Sequence, residues 1–285
     1  MLQNKQLSLK HLLLIFRGKI LVTWALVGFE NLFLALIPLL IGLAIDDLLA
    51  GGYDHLVRLA SLMCILVIIA MGRRLYDTRA YGTVRVQLGQ ELHRRHQDLP
   101  VSAHNARLNM ARELVDFLEA KVPEILTALI QILVAFSVLA FFHIQLALSA
   151  AAVSVIMIIF YSLVHTRFYQ LNSGLNSQME KQVHILETGK AMSMLSHLQN
   201  IRNWEVKLSD TEAILYGSIF ILIIAFIVHN LWFSTSLSDA TTGNIYSIVS
   251  YSWTYVESAI MLPFTLQSLT RLSEITDRIN HNSED

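Results

Sequence analysis

An all-α membrane protein with six spanning helices is the fold class this sequence predicts, on three observations. First, 54% of its 285 residues are hydrophobic and only 15% are charged, with a mean hydropathy of +0.51; a soluble domain carries about 25% charged residues. Second, the apolar residues are bunched in runs of about 20, the length that crosses a bilayer core. Third, lysine and arginine are spread very unevenly among the loops between those runs. The same arithmetic excludes a disordered chain and a disulfide scaffold, since the single cysteine, Cys64, sits inside an apolar run. With 21 Lys+Arg against 22 Asp+Glu the net charge is -1, so no broad basic face for nucleic acid is implied.

The chain opens on a short amphipathic stretch over residues 1–19. Leu7, Leu9, Leu12, Leu13 and Phe16 fit one helix face beside Lys5 and Lys10, and the run stops at Arg17-Gly18-Lys19. It is too short to cross, and no small-residue cleavage site follows, so it reads as an interfacial helix rather than a signal peptide. Residues 20–280 then hold the spans. The first runs from Ile20 to about Ile45, interrupted by Glu30 and Pro38; the second starts near Leu56. The third is about Pro123 to Phe142, the fourth about Leu146 to His165, the fifth about Ala213 to Trp232, and the sixth about Ile245 to Leu266. A tail, 281–285, closes the chain.

With the N-terminus inside, the outer loops Asp46–His55, His143–Gln145 and Phe233–Asn244 hold no Lys or Arg. Arg58 alone falls near that side, and the asymmetry places both termini in the cytoplasm. The inner loops are long and helical. From Arg79 to Pro100 the chain is polar, with Val84, Leu88, Glu91 and Arg95 at helical spacing, and Ala106 to Val122 reads as a helix coming back. Residues 166–212 repeat the arrangement, with a polar break expected around Ser196–Asn203. Two hairpins, about 79–122 and 166–212, are therefore expected to project about 30 Å past the membrane at 1.5 Å per residue.

This ordered set resembles the transmembrane domain of exporter-type (type IV) ABC transporters. "LALIPLLIGLAIDDLL" (Leu34–Leu49) resembles the end of that family's first span, and "VRVQLGQELHRRHQDLP" (Val84–Pro100) its second helix descending to the first inner loop. "RELVDFLE" (Arg112–Glu119) resembles the returning helix, and "LAFFHIQLAL" (Leu139–Leu148) the tight turn between the third and fourth spans. "TTGNIYSIVSY" (Thr241–Tyr251) and "LTRLSEITDRIN" (Leu269–Asn280) resemble the entry and exit of the sixth. The resemblance implies a dimer of identical chains, half a pathway each, with the fourth and fifth spans reaching over the partner, and a bacterial inner (plasma) membrane as location.

The departures bear on the energy source. The family continues into an ATPase domain, whose phosphate-binding loop needs glycine amides and a lysine. These 285 residues hold no such loop. The nearest approach, Gly189-Lys190-Ala191, has His184 where a glycine is needed and no Ser or Thr after the lysine. Where the family has an aromatic pair after Leu-Pro and a glycine before Glu-Leu, this chain has Ser102-Ala103 and Arg112. The expectation is a non-enzymatic chain without cofactor, with a separate ATPase subunit as one partner reading.

Charge inside the membrane is the main functional signal, because it is costly and needs a reason. Glu30 falls about 15 Å into the first span by the helical rise, and Glu257 is expected near the midplane of the sixth. Arg73, Arg74 and Asp77 sit in the inner third of the second, Glu124 near the inner end of the third, and His229 near the outer end of the fifth. One reading makes them a polar substrate cavity or proton relay. Another pairs Glu30 or Glu257 with Arg73 or Arg74, and a third pairs Arg74 with Asp77 at i, i+3. Trp253, with Tyr251 and Tyr255, goes deeper toward Glu257 and either lines a pocket for an amphipathic solute or packs. Trp232, Phe233 and Tyr246 fit an aromatic belt.

His93 and His96 share a face beside Asp98 and near His104, but Arg94 and Arg95 repel a cation, so no metal site is expected. His165 and Arg167 read as snorkelling residues at the inner interface. His104, Asn105 and Arg107 on the first hairpin, and Ser196, Asn200 and Trp204 on the second, are expected at tips that couple to a partner. Met192 and Met194 beside Trp204 suit an apolar partner contact or packing between protomers. Three functions fit: a transporter of an amphipathic or small peptide-like solute driven by protons, resembling the ATPase-less peptide importers; a membrane subunit served by a separate ATPase; and a non-transporting binding or regulatory subunit.

Overall fold

The computed structural model describes residues 13–95, 101–187, 190–238 and 240–281. Among these every regular element is helical. In order they are α1 (Arg17–Leu49), α2 (Asp54–Arg95), α3 (Val101–Asp116), a π-helical turn (Phe117–Lys121), α4 (Val122–Phe142), α5 (Ile144–Glu180), α6 (Gln182–Glu187), α7 (Ala191–Ser234) and α8 (Thr242–His281). Five helical stretches, Arg17–Leu49, Asp54–Arg94, Ala111–Phe142, Ile144–Glu187 and Ala191–Ser234, are long and apolar enough to cross a membrane. The expected sixth span lies within α8, which is 40 residues long.

The chain forms two compact units. The first holds α1 to α4 and α8. Its end at the α1–α2 turn is fixed by the side chain of Asp46, which accepts from Thr241 Oγ1 at 2.6 Å and from the Gly243 amide at 2.8 Å. Here α1 and α8 meet at Gly42 and Gly243, so closely that a Cβ on either would strike the other's backbone. Small residues permit that approach, and without a strong hydrophobic drive inside lipid, such packing is what holds helices together. Pro38 removes one backbone donor from the middle of α1. Nearby carbonyls find partners on α8: Tyr251 donates to Ala35 O at 2.5 Å and Ser247 Oγ to Pro38 O at 3.1 Å. These bonds do not replace the donor lost to the Leu34 carbonyl, but they tie α1 to α8 beside it, where lipid offers no hydrogen bond.

At the other end, α2 and α3 extend past the apolar runs as the first hairpin. Val84, Leu88 and Leu92 of α2 bury against Ala111, Leu114, Val115 and Leu118, with Phe16 and Ile20 sealing the side. Of the amphipathic segment expected over 1–19, residues 1–12 lie outside the described residues, while 13–15 form a helical turn that bends at Phe16 into α1. The returning helix starts earlier than expected, at Val101 rather than Ala106. Pro123 lacks an N–H and its ring presses on the carbonyl four residues back. The turn before it accordingly widens into a π-helix, and the Val122 amide reaches Phe117 O.

The second unit, His143–Phe233, consists of α5, α6 and most of α7. His143 caps α5 by accepting from the Gln145 amide at 3.2 Å, and its ring meets Phe233 at 5.0 Å. Buried Asn230 accepts from Ser149 Oγ at 2.8 Å. Toward the hairpin, Trp204 lies flat on Gly174, with Lys207 Nζ over its ring at 5.2 Å. The polar break expected at Ser196–Asn203 is overturned: those residues are continuous α7, and the helical run is interrupted earlier, at Lys181 between α5 and α6. Serine and asparagine weaken a helix only slightly, and buried His197, bonded to Gln178 at 2.9 Å, anchors this stretch to α5.

The short turn between α1 and α2 carries a titration prediction. Asp47, past the apolar run of α1, accepts from the His55 amide at 3.0 Å, with His55 Nδ1 at 3.4 Å. The backbone bond from His55 is the main cause holding its carboxyl below the ordinary value of 3.8. A depressed folded pKa means the contribution is present above the unfolded value and lost as pH falls through the folded one. Asp47→Asn is therefore expected to speed hydrogen exchange at the His55 amide at pH 7. The difference from wild type should vanish at pH values below the depressed pKa, and an unchanged rate at pH 7 would refute the bond's role.

Candidate functional site

The first and second spans converge on a buried charge cluster. Glu30 of α1 and Arg73 of α2 each lie 19 residues from the ends joined by the turn, Leu49 and Asp54. The antiparallel helices thus bring them to the same level, about 28 Å from that turn by the helical rise. Arg73 Nε donates to Glu30 Oε2, and its Nη2 reaches Glu30 Oε1 at 3.4 Å. Its Nη1 reaches Asp77 Oδ2 at 3.3 Å, and Asp77 Oδ1 accepts from Thr23 Oγ1 at 2.6 Å. Thr23 and Asp77 are buried, and the Glu30 and Arg73 side chains are 16% and 26% exposed. One guanidinium therefore serves two carboxylates, and the cluster carries a net charge of minus one when all three groups are ionised.

Next to it, Asn31 is buried between α1 and α4. Its Nδ2 donates to Val27 O at 2.8 Å and Thr127 Oγ1 at 2.9 Å, and its Oδ1 accepts from Gln131 Nε2 at 3.3 Å. On the hairpin side, Arg85 Nη2 donates to Asp116 at 2.5 Å and to Glu119. Arg73, Asp77, Tyr81 and Arg85 recur at intervals of four along α2, one stripe of a single helix face.

Glu30, Arg73 and Asp77 are thus brought together; the other expected site residues are not part of this group. Arg74 is exposed on α2, and Asp77 pairs with Arg73 at i, i+4 rather than with Arg74 at i, i+3. Glu124 pairs with Lys121 at 2.8 Å on an exposed face. Glu257 and Trp253 are exposed on α8, whereas Tyr251 and Tyr255 are buried. His104, Asn105 and Arg107 fall in the first two turns of α3, where Asn105 is exposed and the side chains of His104 and Arg107 lie outside the described residues. Ser196, Asn200 and Trp204 are moved off the expected tip: Trp204 is about 20 Å along α7 from Ala191 by the helical rise. Among the described residues no cluster of His, Cys, Asp and Glu suits a metal ion; His96 and Asp98 lie outside them.

Sequence reasoning missed Thr23, Asn31, Tyr81, Arg85, Asp116 and Glu119. The four-residue stripe on α2 was the available signal for two of them. Thr23 depends on which face of α1 meets α2, Asn31 on the face that meets α4, and Asp116 and Glu119 on how the end of α3 and the π-helical turn meet the stripe.

Helices long and apolar enough to cross a membrane, with a buried charge cluster between the first two, mark an integral membrane protein. The family model of the ABC transporter transmembrane region matches residues 9–243, and the chain belongs to that family. No curated protein matches the chain.

Proposed function

We propose that this chain moves an amphipathic or small peptide-like solute by alternating access, as one half of a homodimer with six spans per chain. The proposed driving force is proton movement through the Glu30–Arg73–Asp77 cluster. The observation that supports it is the odd charge: two carboxylates share one cation inside the membrane. Taking up one proton brings the cluster to neutrality, so loading and release leave no second uncompensated charge. Protonating Glu30 also frees α1 from Arg73, which then serves Asp77 alone, and that couples charge to the contact between the first two helices. The groups around the cluster are Thr23, Tyr76, Tyr81 and, through its backbone, Lys19, whose carbonyl accepts from the Tyr76 hydroxyl at 3.3 Å. The division of the chain at Phe142 and Ser234 suits a pair of copies that exchange their fourth and fifth spans, carried by α5 and α7.

The test is substrate-stimulated proton flux in proteoliposomes holding a pH dye, under an imposed gradient and without ATP, with short peptides and cationic dyes as probes. Glu30→Gln and Asp77→Asn are each expected to abolish the flux. Flux and pH dependence equal to wild type in both would end the proton-coupled reading. A second reading, a membrane subunit served by a separately encoded ATPase, is favoured by the rigid core of the α2–α3 hairpin, which could transmit force. Co-purification of native protein with no ATPase would count against it.

A further inference from the structure

The stripe on α2 has a central member that neither the cluster nor the hairpin pair uses. Tyr81 is 1% exposed and belongs to the buried hairpin core together with Ile20, Val84 and Leu118. Its hydroxyl is buried and meets no partner at ordinary hydrogen-bond geometry, with the Thr23 hydroxyl, itself committed to Asp77, as a weak hydrogen-bonding neighbour. A buried polar atom of this kind costs stability unless a partner or an ordered water meets it, so its retention where phenylalanine would pack equally well needs a reason. The polar groups acting on it are Thr23 from α1, Asp77 and Tyr76 from α2, and Glu119 from the π-helical turn. Asp77 belongs to the membrane cluster, and Glu119 belongs to the Arg85 pair on the hairpin. Tyr81 thus stands between the two groups, on the helix face that carries both.

We propose that Tyr81 is the positioning residue of a proton path that joins Glu119 at the hairpin to the Asp77–Arg73–Glu30 cluster in the membrane. A phenol both donates and accepts and stays protonated at neutral pH. In the path, Glu119 takes a proton from bulk water. Tyr81 Oη accepts a proton from that side, by way of one bridging water, while its own O–H proton passes to the Asp77 carboxylate. Tyr81 ends neutral, and the cluster has gained one proton. The apolar core around the ring excludes competing routes, so the rate of loading depends on this hydroxyl.

This rests on the proton-loading reading above, and the experiment separates the two. The whole protein in lipid vesicles is followed by infrared spectroscopy after a downward pH jump, with no substrate present. Wild type is expected to show a new protonated-carboxyl band that is absent in Glu30→Gln with Asp77→Asn. Tyr81→Phe is expected to keep the amplitude of that band but to slow its appearance by roughly a hundredfold, the lower end of what a positioned proton-transfer group contributes. Glu119→Gln should slow it in the same direction, and Tyr53→Phe, exposed at the α1–α2 turn, should leave it unchanged. No band in wild type overturns the loading reading and this inference with it. A band that appears in Tyr81→Phe at the wild-type rate overturns this inference alone. An unchanged melting midpoint for Tyr81→Phe shows that a slow rate is not lost folding, and a Tyr81→Phe protein that fails to fold passes the decision to the Glu119→Gln rate.

Discussion

Arg73→Leu is expected to cost about 3–5 kcal/mol, the loss seen when one partner of a buried ion pair is removed. The reason lies in what remains. Glu30 and Asp77 would stay buried, with side chains only 16% and 4% exposed, and without their shared cation. Thr23 would still donate to Asp77, but one neutral hydroxyl does not offset two carboxylates. Arg73→Lys should recover only part of the loss, since an ammonium lacks the fork that reaches Glu30 and Asp77 at once. Combining Arg73→Leu with Glu30→Gln and Asp77→Asn should recover most of it, because the penalty belongs to the stranded charges. The measurement is the unfolding midpoint in mixed detergent or bilayer discs. A single Arg73→Leu variant as stable as wild type would show that the cluster is neither buried nor paired in the membrane, and the proposed proton site would fall with it.

The cluster also shows what a sequence can and cannot carry. Glu30, Arg73 and Asp77 stand out because charge in an apolar run demands an explanation. Whether Arg73 or Arg74 pairs with Asp77 is undetermined by spacing alone, because i+3 and i+4 both share a face. The rotation of α2 against α1 decides it, and that rotation is set by contacts such as Thr23 to Asp77 and Tyr76 to Lys19, between residues more than 50 positions apart. Helix existence was legible from hydropathy, and the first hairpin from its 3–4 spacing. In the second hairpin, Ser196, Asn200 and Asn203 suggest a break that buried His197 and half-buried Trp204, packed on Gly174, override. The π-helical turn is readable only after the fact, from Pro123. Glu257 illustrates the opposite limit: its depth in a span is inferable, but its exposure on α8 depends on which face the Gly42–Gly243 crossing turns inward.

That crossing supplies the second large effect. Gly243→Ala places a Cβ against the backbone carbonyl of Gly42, with the carbonyl carbon at 2.6 Å, and Gly42→Ala places one 3.0 Å from the carbonyl carbon of Gly243. The Ser247 and Asp46 side chains also crowd these positions, but the carbonyls are backbone and cannot rotate aside, so the helices themselves must separate. Overpacking of this kind costs about 1–3 kcal/mol, and separation would also strain the bonds from Thr241 and the Gly243 amide to Asp46. Helix propensity alone predicts the opposite sign, since alanine in a helix is about 1 kcal/mol better than glycine. Gly28→Ala makes that contrast within α1, because nothing lies within 4 Å of its added Cβ. Gly28→Ala is therefore expected to leave stability equal or raised, while Gly42→Ala and Gly243→Ala lower it. The double variant Gly42→Ala with Gly243→Ala should cost less than the sum, because helices already forced apart by one methyl accommodate the second. Strict additivity in the unfolding midpoints would mean that the two glycines act separately, and that α1 and α8 do not meet at this point in the folded protein.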